Sequence, residues 1–165
     1  MNHKRITYLT HAASIAALYV VLTLFSNVLG LANYSIQVRF SEALTILPLF
    51  TPAAIPGLYI GCLLSNLLTG CVFWDILFGP LATLLGAVGT YILGKKLKWA
   101  ASLPPILSNM LIIPFILSYA YHFEGAIPYF MLTVGIGEIL SCGILGNILL
   151  FALSKYRKQL FGDWN

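Results

Sequence analysis

Glu138 sits in the middle of Val134-Gly135-Ile136-Gly137-Glu138-Ile139-Leu140, a run with no other polar side chain. A central acid in an apolar span costs roughly 2.5–3.5 kcal/mol, so such a carboxyl is neutral, paired or facing a cavity. Its chemistry is that of a ligand anchor or a proton carrier. The plainer alternative is a buried carboxyl bonded to a neighbouring helix. Asn66 brings an amide, both donor and acceptor, into a second apolar run. Asp75 opens a third, where it either caps exposed amides or meets a solute. Arg39 and Glu42 lie three residues apart in a polar stretch, with Ser41 placed to cap a short helix starting there. They form an exposed ion pair of little worth, or a charged lid that closes over a solute. Asn109 and Asn147 are expected to join helices below an outward-facing site. Tyr34, Phe40, Phe73, Trp74, Tyr119, Tyr121 and Tyr129 collect at the outward ends. They suit an interfacial belt, or stacking on a flat ring.

Other chemistries lack their residues. No HExxH, GxSxG or GxxxxGK motif occurs, and His3, His11 and His122 are scattered. Neither an enzyme nor a resident metal or cofactor is therefore expected, and any ATP must be used by a partner. Cys62, Cys71 and Cys142 show no CxxC or metal-ligand spacing and read as small packing residues.

The solvent for these groups is set by composition. Of 165 residues, 59% are hydrophobic and 8% charged, against roughly 25% charged in a soluble domain. Such a chain cannot cover a water-facing surface, so a lipid bilayer and a multi-pass cell-membrane location are expected. The net charge of +4 does not point to nucleic acid, because the cations cluster beside hydrophobic runs.

The apolar runs divide into about six helices: Tyr8–Leu29, Glu42–Phe50, Ile55–Thr69, Asp75–Gly94, Pro105–Tyr121 and Ile127–Leu153. The first resembles a signal peptide but is expected to remain as an uncleaved span. Pro48, Pro52 and Pro56 break the stretch from Ala43 to Gly70 into two pieces. Charge supports that division. Lys4/Arg5, Lys95/Lys96/Lys98 and Lys155/Arg157/Lys158 belong on one cytoplasmic side, which requires an even number of crossings between clusters. Both termini are then cytoplasmic and Arg39 is the outward cation. The short second helix rises only ~13 Å as an α-helix, so it must pack against neighbours rather than span alone. The fold class is an all-α integral membrane bundle in one domain, residues 1–165.

The first span carries Ala12, Ala13, Ala16 and Ala17, giving two parallel small-residue pairs spaced by four. Either pair admits close approach of another helix, within this chain or in a second protein.

With these residues in place, the sequence is similar to the QueT family. The similarity runs through Val38-Arg39-Phe40-Ser41-Glu42-Ala43-Leu44 and Leu47-Pro48-Leu49-Phe50-Thr51-Pro52-Ala53-Ala54-Ile55-Pro56-Gly57-Leu58. It continues in Gly61-Cys62, Asn66, Asp75, Phe78-Gly79-Pro80-Leu81-Ala82-Thr83-Leu84 and Gly137-Glu138. Pro80 departs from the small residue usual after Phe-Gly and is expected to alter the local kink.

The resemblance implies a six-helix S component of an energy-coupling factor (ECF) importer, specific for a queuosine precursor. The solute would be a 7-deazaguanine base: the aminomethyl or cyano form, or queuine. The partners would be a transmembrane coupling protein, docked through Ala12 and Ala16 or through Ala13 and Ala17, and two cytoplasmic ATPase subunits. A guanine-like edge offers an N–H beside an amino group, and one carboxylate accepts both. Glu138 is assigned that role, Asp75 or Glu42 the neutralising of an aminomethyl cation, Asn66 the ring polar atoms, and Arg39 the closure. The alternatives are an S component for another vitamin or base, and a stand-alone proton-coupled carrier using Glu138.

Overall fold

The computed structural model describes residues 3–31 and 36–161; Tyr34 lies outside them. Among the described residues all regular structure is helical. The helix α1, His3–Val28, precedes a 3₁₀ helix, Phe40–Leu49. Then come α2, Ala54–Leu68, and α3, Phe73–Gly94. They are followed by α4, Leu103–Tyr119, and α5, Ile127–Glu138. A π-helical stretch, Ile139–Leu145, runs on into α6, Gly146–Ser154, and the short α7, Arg157–Phe161, ends the described chain.

Among the described residues, four stretches are long and apolar enough to cross a membrane: His3–Val28, Phe73–Gly94, Lys98–Tyr119 and Ile127–Ser154. The 3₁₀ helix and α2 are shorter apolar pieces. Their separation at residues 50–53 follows the proline division read from the sequence. The helix type differs from expectation. The ten-residue 3₁₀ helix rises ~20 Å at about 2.0 Å per residue, further than the α-helix anticipated there. It packs against α1, α2, α3, α6 and the π stretch, which supplies the enclosure that its weaker internal bonding needs.

The exterior is apolar, while many of the polar side chains lie in the interior beside an apolar core. Val21, Val28, Leu68, Leu85, Ile92, Leu132 and Phe151 are exposed, while Thr23, Ser26, Ser41, Glu42, Thr45, Asn66, Asp75, Thr83 and Asn109 are buried. Water would penalise that arrangement, whereas a bilayer favours it, since buried polar groups then bond inside the bundle.

Close approach of α1 to α2 rests on missing side chains. A Cβ on Gly57 would lie 2.7 Å from the Ala12 carbonyl oxygen, and one on Gly61 would lie 3.0 Å from that of Ala16. Ala12 and Ala16 are thus buried within the chain, while Ala13 and Ala17 are exposed. The buried stripe continues through Tyr19, Thr23 and Ser26, residues that meet the 3₁₀ helix. Below it Ile15, Leu44, Leu47, Phe50, Ala54 and Leu58 form the main apolar core.

The cation clusters share one end of the bundle. Lys95, Lys98 and Arg157 border a single pocket. His11 of α1 meets Phe161 edge-on at 6.0 Å.

Candidate functional site

A partly polar cleft, made of two adjoining pockets, runs into the opposite end of the bundle. Its outer vestibule, about 840 Å³ with its open mouth, includes Asn27, Asn66, Asp75, Tyr121 and Phe123 among its walls. Its narrow inner chamber, about 420 Å³ with its open side but enclosing only about 20 Å³, is bordered by Glu42, Cys62, Thr83, Asn109, Val134 and Glu138. Gln37, Arg39 and Ile113 border both, so they form the neck between them.

Each wall is set by a helix feature. Tyr19, at 0% exposure, donates its phenolic hydrogen to Glu42 Oε1. Thr23 Oγ1 donates to Ser41 Oγ at 2.8 Å, and the Phe40 amide donates to Ser26 Oγ at 2.9 Å. The stripe on α1 therefore fixes the turn of 3₁₀ helix that presents Glu42. Ser41 works from inside that helix; the cap expected of it is absent, and Arg39 occupies the N-cap position without a side-chain bond.

On the far side, Glu138 is the last residue of α5 before the π stretch. A π turn displaces side chains from the α register, and such turns recur at functional sites. Here it carries Cys142, whose thiol donates to Glu138 Oε2 at 3.1 Å. Thr45 Oγ1 in turn donates to Cys142 Sγ at 3.4 Å. The packing role expected for Cys142 thus extends to holding a carboxylate. Close passage of residues 36–39 over α5 depends on Gly137, where a Cβ would run into the Gln37 carbonyl oxygen.

The vestibule is built around Asp75. It lies in the first turn of α3, but Val72 holds the N-cap position. Tyr121 donates to Asp75 Oδ2 at 3.0 Å, and the Val72 amide donates to the Tyr121 oxygen at 3.4 Å. Burial, and next the charge of Asp75, push the Tyr121 phenol above its ordinary pKa, so it stays a hydrogen donor. Asn66 Nδ2 donates to the Asp75 carbonyl at 3.0 Å. Gly79 leaves room for this pair, since a Cβ there would lie 2.8 Å from Asn66 Nδ2.

Among the described residues, three buried oxygens on these walls have no hydrogen-bond partner: Glu42 Oε2, Asn66 Oδ1 and Asp75 Oδ1. All three are acceptors. The cleft therefore favours an occupant rich in N–H groups, because an unsatisfied buried acceptor costs roughly 1–3 kcal/mol. Glu42, Glu138 and Cys142 bring ligand atoms within 4.8 Å of one another, a spacing a metal ion would accept. The Tyr19 and Cys142 donors already occupy one oxygen of each carboxylate, and Arg39 faces the same chamber with a positive charge.

All five residues assigned to the site from sequence border this cleft: Glu138 in the chamber, Asn66 and Asp75 in the vestibule, Glu42 in the chamber, and Arg39 in both. The exposed Arg39–Glu42 ion pair considered from sequence is not formed, since Glu42 is 3% exposed and bonds Tyr19. Asn109 corrects another expectation: it lies on the chamber wall with both glutamates, not below the site. Asn147 donates to the Gly143 carbonyl at 2.6 Å, a helix-internal bond. Of the aromatics, Phe73, Trp74, Tyr119 and Tyr129 are exposed like a belt, Phe40 packs beside Phe25 at 5.9 Å, and Tyr121 enters the site.

Sequence reasoning missed Tyr19, Gln37 and Thr83. For Tyr19 the signal was present: Ala12, Ala16, Tyr19, Thr23 and Ser26 share one helical stripe. Gln37 carried none beyond its polarity.

A family model described as QueT transporter matches residues 9–155. The queuosine precursor transporter QueT of Lactococcus lactis subsp. cremoris is 37% identical over 73 residues, covering 44% of this chain and 43% of that relative. The matched region thus spans less than half of the relative's length. No solved structure matches.

Proposed function

Since the chain belongs to the QueT transporter family, a family of transporters rather than enzymes, we propose that it captures a queuosine precursor in the cleft between the 3₁₀ helix, α3 and α5. The chain is a multi-pass membrane protein, and on this reading it makes six passes with both termini cytoplasmic and the cleft open outward.

The observation that carries the proposal is the set of three acceptors, Glu42 Oε2, Asn66 Oδ1 and Asp75 Oδ1, left without partners among the described residues along one cleft. A 7-deazaguanine presents a ring N–H beside an exocyclic amino group, plus a pyrrole N–H. In the proposed pose Glu138 or Glu42 accepts the paired donors as charge-assisted bonds. Asn109 and Gln37 supply donors to the ring carbonyl. An aminomethyl substituent, carrying a positive charge, reaches Asp75 through the neck, and Arg39 covers the base. The surplus of carboxylates over cations in the cleft favours the aminomethyl form over the neutral cyano form.

The energy source lies outside this chain. We assign it to an ECF complex, in which a transmembrane coupling protein docks and two ATPase subunits hydrolyse ATP. Of the two alanine pairs, Ala13 and Ala17 are the exposed one, so they are assigned to that contact, and Ala12 and Ala16 to packing within the chain.

Equilibrium binding of the purified protein to the aminomethyl base, the cyano base and queuine, with guanine and thiamine as controls, tests the reading. Selective binding of a deazapurine is expected. A folded sample that binds none of them overturns it. Uptake that persists without any ATPase partner would instead support the stand-alone carrier.

A further inference from the structure

The shortness of the 3₁₀ helix leaves a notch at the lysine-rich end of the bundle. Below its last residues, the ends of α3 and α6 and the start of α7 enclose a pocket of about 860 Å³ with its open mouth. Lys95, Lys98 and Arg157 border it together with Leu49, Phe50 and Leu150. Lys95 Nζ stands 4.0 Å from the centre of the Tyr91 ring. Phe161 stacks on Phe50 at 5.4 Å and fixes part of the apolar wall.

The chain offers these cations no counter-charge of its own among the described residues. Glu42 and Glu138 border the inner chamber and Asp75 the vestibule, while Glu124 lies in the loop beyond α4. Three cations and three apolar side chains bordering one pocket match an amphiphile: a phosphate head with acyl chains beside it. Ile92 and Phe151, on the two flanking helices, are 60% and 79% exposed, so both helices carry apolar surface near this end.

We propose that this notch is a binding site for the phosphate headgroup of an anionic phospholipid. Lys95, Lys98 and Arg157 hold the phosphate, Arg157 through paired donors, and one acyl chain lies on the half-buried Leu49 and Leu150. Basic pockets between spans at a membrane surface take such headgroups.

Native mass spectrometry of the full chain, released from nanodiscs of mixed phosphatidylglycerol and phosphatidylcholine, tests this. The wild type is expected to retain phosphatidylglycerol. The triple variant K95Q/K98Q/R157Q is expected to lose retention by about tenfold or more, given the contribution of each basic residue near an anionic surface. The variant K4Q/R5Q, which removes cations from the same end of the bundle, is expected to retain it. Equal loss in both variants would reduce the effect to general surface charge and overturn the site. Displacement of the lipid by millimolar inorganic phosphate would also overturn it, leaving a free-anion site. In the wild type alone, phosphatidylglycerol should raise the unfolding temperature above that in pure phosphatidylcholine; no difference counts against the proposal.

Discussion

Tyr19 of α1 and Glu42 of the 3₁₀ helix are joined by a hydrogen bond at the centre of the bundle, with both side chains buried. Removing the phenol oxygen strands Glu42 Oε1 as well as Oε2. Tyr19→Phe should cost roughly 1–3 kcal/mol of stability, read as a lower unfolding temperature in detergent, and should weaken deazapurine binding. An unchanged unfolding temperature would show that the bond contributes nothing net.

Glu138 is held from one side by Cys142, leaving its other oxygen toward the chamber. Glu138→Gln keeps the volume and removes the carboxylate that the proposed pose uses. A charge-assisted bond is worth about 1.5–3 kcal/mol, so affinity for the aminomethyl base should fall roughly tenfold to a hundredfold. Binding that survives both this change and Glu138→Ala would remove Glu138 from the site.

At the vestibule, Tyr121→Phe leaves Asp75 Oδ2 without its donor. The aminomethyl base, which is assigned to Asp75, should lose affinity, while the neutral cyano base should change little. The bond also carries a pH signature. Because the folded protein raises the Tyr121 pKa, its stabilisation is complete below the unfolded value of about 10 and is lost as pH rises through the higher folded value. Thermal unfolding of wild type and Tyr121→Phe should therefore converge only in strongly alkaline buffer.

The two alanine pairs of α1 should separate cleanly. Ala12→Leu with Ala16→Leu forces bulk against Gly57 and Gly61, and overpacking of this kind costs about 1–3 kcal/mol. Ala13→Leu with Ala17→Leu changes only an exposed face. The second variant should fold and bind ligand normally yet fail to co-purify with a coupling protein or support uptake. Normal uptake by it would place the docking face elsewhere.

Much of this was legible in the residues. Apolar length located the helices, and the scarcity of polar groups in them made Glu138, Asn66 and Asp75 conspicuous. Prolines marked the break near residue 52 but could not reveal a 3₁₀ helix, because that geometry is imposed by the helices packed round it. Asn109 was misplaced because depth along a span was taken from its ends, whereas the cleft reaches deeper than expected. Which alanine face turns inward was encoded by Tyr19, Thr23 and Ser26, polar residues that continue one stripe and not the other. The Cys142–Glu138 contact depends on a π turn, for which the local sequence gave no separate mark.

The helix α1 is one wall seen from two rooms. Its inner stripe grips the 3₁₀ helix through Tyr19 and Thr23, and its outer stripe presents Ala13 and Ala17. A protein seated on the outer stripe thus lies a helix diameter from the carboxylate in the cleft. Any free energy by which an occupant of the cleft shifts α1, and so strengthens or weakens that seating, must be returned in equal amount to the occupant's own affinity. If the proposed partner seats there, loading and docking on this chain become two readings of a single equilibrium.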